Sequence, residues 1–352
     1  MCSPKKTNFY GKNFSSEANT SLNPSLTYGE VPFLKSDVKY QNFQKLKSSA
    51  ISVSVIVPSY NGAHKLPHIL KALENQTTQD FETIVVVDGS TDQTSEVLKS
   101  QDWTLQNLRI VYRENGGRAV ARNTGAQEAK GDLLIFFDDD MRPIPACIEL
   151  HVAHASDHPA SILVGSQLED FDKVSSDFQM FKAGLSRSWA PFEKFGEVSA
   201  DQPFITAANF SITQSLFQQL AGFDERLTDA EDFDLAVKAA MAKVSIFYNN
   251  EAIAWHDDFV TCRSMIKRHR QYEASHQTLL RLNPEVYEKF DQYTPATIGS
   301  AKRLMYWLFA QKFWVWSIDK FNWLRILPKK IRYKIYNVVV TGYSVYFKNK
   351  TL

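Results

Sequence analysis

Three clusters of acidic or turn-forming side chains each follow directly on a short apolar run: Pro58, Ser59, Tyr60 and Asn61; Asp88, Gly89, Ser90, Thr91 and Asp92; and Asp138, Asp139 and Asp140. Carboxylates grouped in this way hold hard divalent cations, and such a cation neutralises the oxygens of a diphosphate. If the chain stays extended past Phe137, the two-residue period of a strand sends Asp138 and Asp140 to one side and Asp139 to the other, so the outer two form the metal pair. The alternative is a solvated acidic turn, but three adjacent acids repel one another and end a buried strand poorly. Asp88 closes its own run, where a carboxylate accepts a hydrogen bond from a nucleobase N–H; the same five residues also make a good turn and helix start. Arg118 and Arg122, a turn apart after Gly116 and Gly117, either reach phosphate oxygens as bidentate donors or lie solvated on the surface.

A fourth cluster, Asp229, Ala230, Glu231 and Asp232, opens a helical pattern carried by Phe233, Ala236, Val237 and Ala240. Acids at a helix N-terminus are favoured by its dipole and stay ionised, which is an ordinary structural role. An ionised carboxylate is also what a general base needs to take a proton from a hydroxyl. His256 follows another apolar run and is either a satisfied polar residue or a third metal ligand.

The elements that must position these groups are legible. Residues 52–57, 82–87 and 132–137 are rich in Val, Ile and Phe, with no charge at their centres, and read as buried parallel strands. Ligands bind beyond the carboxyl ends of such strands, so the clusters should converge on one crevice. Helices are expected at 64–75, where Leu66, Ile69, Leu70 and Leu73 recur, after Ser90 or Thr91 as N-cap, and at 118–130, with a further strand at 108–112. Alternating strand and helix predict an α/β fold, a doubly wound and mostly parallel sheet with flanking helices.

The 352 residues are 44% hydrophobic and 22% charged with a net charge of +1, enough for one large domain or two. Cys2, Cys147 and Cys262 are far apart and suit a reducing compartment; residues 1–50 lack the apolar core of a signal peptide, so a cytoplasmic location is expected. Charge is uneven: residues 301–352 hold eleven Lys and Arg against Asp319 alone, together with 13 of the chain's 45 aromatics. Their longest uncharged stretch, 335–347, is 13 residues, well short of the roughly 20 needed to span a bilayer. Either this segment lies on an anionic membrane surface, or it is a helical subdomain that packs its aromatics on the core. No nucleic-acid-binding motif is present, and no nucleic-acid partner is expected.

In combination, residues 53–92, 116–140 and 206–234 resemble a family 2 glycosyltransferase of the nucleotide-sugar-binding GT-A fold, over about 52–257. The resemblance implies that Pro58, Ser59, Tyr60, Asn61 and Asp88 line the nucleotide pocket, and that Asp138, Asp139 and Asp140 contain a DxD motif for Mn²⁺ or Mg²⁺, in either of two registers. It further implies that Asn209 lies in the donor and acceptor loop and that Glu231 and Asp232 form the ED motif. The aspartate of that motif is the base of an inverting transfer, and His256 stands near the metal. The division that follows is an N-terminal extension (1–50), a GT-A domain (51–260) and a helical, basic and aromatic segment (261–352). With no Gln-x-x-Arg-Trp motif and no spanning helix, one sugar is expected to pass from a nucleoside diphosphate-sugar, a UDP-sugar, to a glycan or lipid-linked acceptor. A sugar nucleotidyltransferase would place a Gly-rich loop with Arg and Lys after the first strand, and a non-catalytic carbohydrate-binding protein would not need Asp138, Asp140 and Asp232 together.

Overall fold

In the computed structural model, residues 51–100, 102–188, 195–290 and 297–352 are described; the extension expected at 1–50 lies outside them. The strands are β1 (Val53–Ser59), β2 (Glu82–Asp88), β3 (Leu108–Arg113), β4 (Leu133–Phe137), β5 (Met141–Pro143), β6 (Ile162–Leu168), β7 (Phe195–Glu197), β8 (Asn209–Thr213) and β9 (Ile246–His256). They form one sheet in the order β3-β2-β1-β4-β8-β6-β9-β5, with β7 added beside β9. The pairs among β1, β2, β3 and β4 are parallel, as is β6 with β9, whereas β8 runs antiparallel to both neighbours. Two antiparallel pairings in succession restore the direction, so β1, β2, β4 and β9 all end on the same edge of the sheet. That edge carries every acidic cluster singled out above.

Alternate residues of the buried strands feed two cores, which is the physical reason the runs carry little charge. Ile56, Phe136 and Phe210 pack on one face against α3 (Arg118–Glu128), α6 (Gln214–Gln219) and α7 (Glu231–Met241), with the Phe136 and Phe210 rings stacked at 4.8 Å. Val55, Val57 and Ile135 pack on the other against α1 (Leu66–Glu74), α2 (Thr94–Ser100) and α4 (Cys147–Asp157). Leu66, Ile69, Leu70 and Leu73 are the buried face of α1, as their spacing predicts. Helix α2 starts later than Ser90 or Thr91 would place it, because the Asp92 carboxylate takes the N–H of Thr94 at 3.1 Å.

Beyond the sheet come α8 (Cys262–Leu282), α9 (Pro284–Tyr287), α10 (Ser300–Phe309), α11 (Lys312–Lys320) and α12 (Lys329–Thr341). Tyr336, Val339 and Val340 of α12 and Val315 and Ile318 of α11 share a core with Met265 and Ile266 of α8 and with Phe178 and Phe181 of α5 (Asp177–Ser188). The Asp177 carboxylate accepts hydrogen bonds from Arg332 at 2.8 and 2.6 Å and from the Tyr336 hydroxyl at 2.8 Å, joining this subdomain to the body. No described helix is long and apolar enough to cross a membrane.

Candidate active site

The loops after β1 and β2 are built as one unit. The Asn61 side-chain oxygen accepts the backbone N–H of Thr91 at 2.8 Å, and the N–H of Asn61 donates to Ser90 at 3.0 Å. Gly62 is required by a close approach: a Cβ there would fall 2.0 Å from the Ser59 hydroxyl and 2.9 Å from Asp139. Pro58 is buried within β1 opposite Val86, while Tyr60, just after β1, is 51% exposed.

Asp88 is buried at the end of β2. Its Oδ1 accepts the N–H of Gly116 at 3.0 Å and the Arg113 guanidinium, and its Oδ2 accepts the N–H of Gly117 at 2.9 Å. Gly117 reaches that position at φ 89°, a conformation that favours glycine. Two acceptor sites per carboxylate oxygen leave Oδ2 with room for one further donor.

The acidic triplet does not stay extended, which corrects the expectation that Asp138 and Asp140 share one side. The N–H of Met141 donates to the Asp138 carbonyl at 3.1 Å, closing a turn, and β5 then runs antiparallel to β9 with Met141 opposite His256. The three carboxylates therefore take three directions. Asp138 meets Arg122 at 2.5 Å; Asp139 accepts from the Ser59 hydroxyl at 2.7 Å and faces Lys65 at 3.4 Å; Asp140 lies between Lys65 at 3.5 Å and His256 at 3.6 Å. Among the described residues, the group whose donor atoms lie within 4.8 Å of one another is Asp140, His256 and Asp258. Two carboxylates and an imidazole whose Nε2 faces Asp140 at 3.6 Å suit Mn²⁺ or Mg²⁺, so the donor set present fits a divalent cation.

Burial pushes the Asp139 carboxyl up to about 6, with Lys65 opposing and Asp140 adding to the rise. Burial would raise Asp140 too, but His256 and Lys65 outweigh it and hold that carboxyl well below the usual range. Burial works against a charged His256, and the Asp140 carboxylate overcomes it and raises the imidazole. Lys65 is likewise kept protonated by Asp139 and Asp140 in spite of its burial. A cleft of about 420 Å³ opens beside these groups, lined by His64, Lys65, Lys173, Asp140, His256 and Asp258 among others.

Arg122 is corrected from surface or phosphate contact to a buried bridge. Only 2% of its side chain is exposed, and its two terminal nitrogens donate at 2.5 Å to Asp138 and to Glu231. Burial opposes its charge, and the two carboxylates more than compensate. Arg118 is half-exposed and stands 3.8 Å from Asp229. Ala230, at φ 61° and fully buried, turns the chain into α7 and sets Asp232 on its first turn. Asp232 accepts the Tyr272 hydroxyl at 2.9 Å; burial and then repulsion from Glu231 push its carboxyl up to about 6.

Asn209 is the other correction: it begins β8, fully buried, and lies in no loop. Its amide donates to the carbonyls of Ser166 and Ala252 at 3.0 and 2.9 Å and its oxygen meets His151 at 2.9 Å, so it ties strands together. The residues missed in the sequence are Lys65, Arg113, Asp258 and Tyr272. Lys65 and Asp258 carried a usable signal, since both follow strand ends; Arg113 and Tyr272 arrive from other elements by tertiary packing.

The family model described as Glycosyl transferase family 2 matches residues 54–220. An uncharacterized glycosyltransferase of Haemophilus influenzae is 30% identical over 193 residues, 53% of this chain and 61% of its own. Validoxylamine A glucosyltransferase of Streptomyces hygroscopicus subsp. jinggangensis is 39% identical over 224 residues, 53% of this chain and 50% of its own. The chain thus spans 50 to 61% of the length of these relatives. A mannosyltransferase from Pyrobaculum calidifontis, solved with GDP-Man and Mn²⁺, matches 86% of this chain and 89% of its own at 16% identity and a TM-score of 0.56, which shows a shared GT-A fold.

Proposed function

This chain carries a family 2 glycosyltransferase domain, and we propose that it moves a single sugar, with inversion, from a nucleoside diphosphate-sugar to a hydroxyl of a glycan or lipid-linked acceptor. UDP-sugar is the donor of choice, and polysaccharide or glycoconjugate assembly is the setting. The single observation that carries the reading is the Arg122 bridge. One buried guanidinium holds Asp138 of the strand-end turn and Glu231 of the α7 acid pair at 2.5 Å each, so donor-side and acceptor-side carboxylates face one site.

Asp88 offers its remaining lone pair to a nucleobase N–H, with Tyr60 and the Asn61 loop beside it. Lys65 supplies positive charge for the diphosphate, held between Asp139 and Asp140. Asp140 and His256, joined by Asp258, would hold Mn²⁺ or Mg²⁺, as the donor set fits. A bound divalent ion supplies Lewis-acid stabilisation of the departing diphosphate. Asp232 takes the proton of the acceptor hydroxyl as its oxygen bonds to the anomeric carbon and the bond from that carbon to the diphosphate breaks; one displacement with one base inverts the centre. Burial and the neighbouring Glu231 carboxylate make Asp232 more basic than an ordinary aspartate, against the opposing pull of Arg122. The enzyme would work at the cytoplasmic face of a membrane, held there by residues 301–352.

A thermal-shift screen of nucleotides and nucleotide sugars, with and without Mn²⁺, tests the donor side, because a bound donor stabilises the fold by mass action. A rise in melting temperature with one nucleoside diphosphate, enhanced by metal, is expected; no response to any of them sinks the proposal.

A further inference from the structure

Helix α11 buries Val315 and Ile318 and turns Phe313 and Trp316, three residues apart, to the outside. The 3₁₀ turn that follows, Trp323–Ile326, adds Trp323, and the Phe313 and Trp323 rings meet at 5.8 Å; Phe321 packs edge-on against Trp316 at 5.1 Å. Ile326 is 82% exposed and Phe321 70%. An apolar surface of this extent on the outside of a folded subdomain marks an interaction site. Around it stand Lys312, Lys320, Arg325, Lys329 and Lys330, none of which forms a salt bridge among the described residues. The sole acid of 301–352, Asp319, is turned inward to accept the N–H groups of Cys262 and Arg263 at 2.7 and 3.1 Å, capping α8. The face is left apolar at its centre and positive at its rim.

We infer that the outer face of α11 and the turn after it docks on an anionic lipid bilayer, with Trp316, Phe321, Trp323 and Ile326 entering the headgroup boundary and the lysines meeting lipid phosphates. Tryptophan and phenylalanine beside lysine is the composition of interfacial anchors, which combine buried apolar area with attraction to anionic lipid. Charge argues against the other occupants. A second copy would bring the same positive rim against this one, and residues 1–50 carry seven lysines against three acids. The inference rests on the lipid-linked acceptor reading for its purpose, while its test reads binding alone.

The full-length protein is floated with phosphatidylcholine vesicles containing increasing phosphatidylglycerol, at low and high salt. Binding is expected to rise with anionic lipid and fall with salt, since exposed charges are screened beyond about 10 Å at roughly 0.1 M. The charge variant Lys312→Glu/Lys320→Glu should lower the partition about tenfold or more. A triple change, Trp316→Ser, Phe321→Ser and Ile326→Ser, should lower it comparably, with donor hydrolysis and the melting temperature serving as controls for the fold. If the full chain ignores anionic vesicles at low salt, or both variants bind as well as the parent, the inference is overturned. It is also overturned if the triple variant instead converts a dimer to a monomer, or if binding appears only once residues 1–50 are removed, for then a protein segment covers the face. Flotation without transfer activity would refute the proposed reaction and leave this surface standing.

Discussion

At the scale of single residues, Asp232 is set apart by its environment. Its carboxyl is raised to about 6 by burial and by Glu231, while the Tyr272 hydroxyl and Arg122 pull the other way. A base must be ionised to accept a proton, so kcat/KM is expected to fall as pH drops through a value of about 6, that of Asp232. Tyr272→Phe removes a bond that favours the charged form, so the acidic limb should move to higher pH; a limb that stays in place or moves down refutes the coupling. Asp232→Asn should keep donor binding and lose transfer by about 10²- to 10⁴-fold. Near-normal turnover in that variant would move the base to another residue. For the metal, calorimetric titration of Mn²⁺ with UDP should weaken in Asp140→Ala, His256→Ala and Asp258→Ala alike, because their donor atoms share one 4.8 Å group. Asp138→Ala should lose less, since Asp138 is engaged by Arg122. The reverse order would restore the metal pair that an extended strand implies.

At the scale of elements, the parallel strands and the first helix were readable because apolar runs bounded by turn residues have few alternatives. The two-residue period failed past Phe137 for a local reason: the Met141 N–H closes a turn on Asp138, and β5 draws the chain toward β9. Strands of three residues such as β5 and β7 show no period to read. The family resemblance alone places Asn209 in a loop, whereas the neighbouring carbonyls of Ser166 and Ala252 satisfy it inside the sheet. Helix α3 carries Arg122, which bridges Asp138 and Glu231. Replacing it with Ala leaves the buried Glu231 carboxylate unpaired, which should cost about 3–5 kcal/mol in urea unfolding. Arg122→Lys restores charge without the fork that spans two carboxylates, so it should recover part of that stability while transfer remains depressed. Full activity in the lysine variant would show that charge alone suffices.

At the scale of the whole molecule, the C-terminal helices pack on the body, as the helical-subdomain alternative expects. Tyr336 is fully buried against Phe178 at 5.6 Å and Phe181 at 5.5 Å, and its hydroxyl reaches Asp177 and Asn322 at 2.8 and 2.6 Å. The same segment leaves Phe321 and Ile326 outside, so its aromatics divide between an inner core and an outer face. These sets should separate in experiment. Tyr336→Ala opens a cavity in the shared core and should destabilise the protein by about 3–5 kcal/mol, as large aromatic truncations do. Ending the chain at 300 removes Val315, Ile318, Tyr336, Val339 and Val340 together and uncovers Phe178, Phe181, Met265 and Ile266. Each such side chain contributes on the order of 1.5–3 kcal/mol by burial, and their sum is as large as the roughly 5–15 kcal/mol that holds a typical domain folded. The shortened protein is therefore expected to aggregate or to melt far below the full chain in a thermal scan. A soluble 1–300 fragment with an unchanged melting temperature would mean that the helices are an appendage, with no structural claim on the catalytic body.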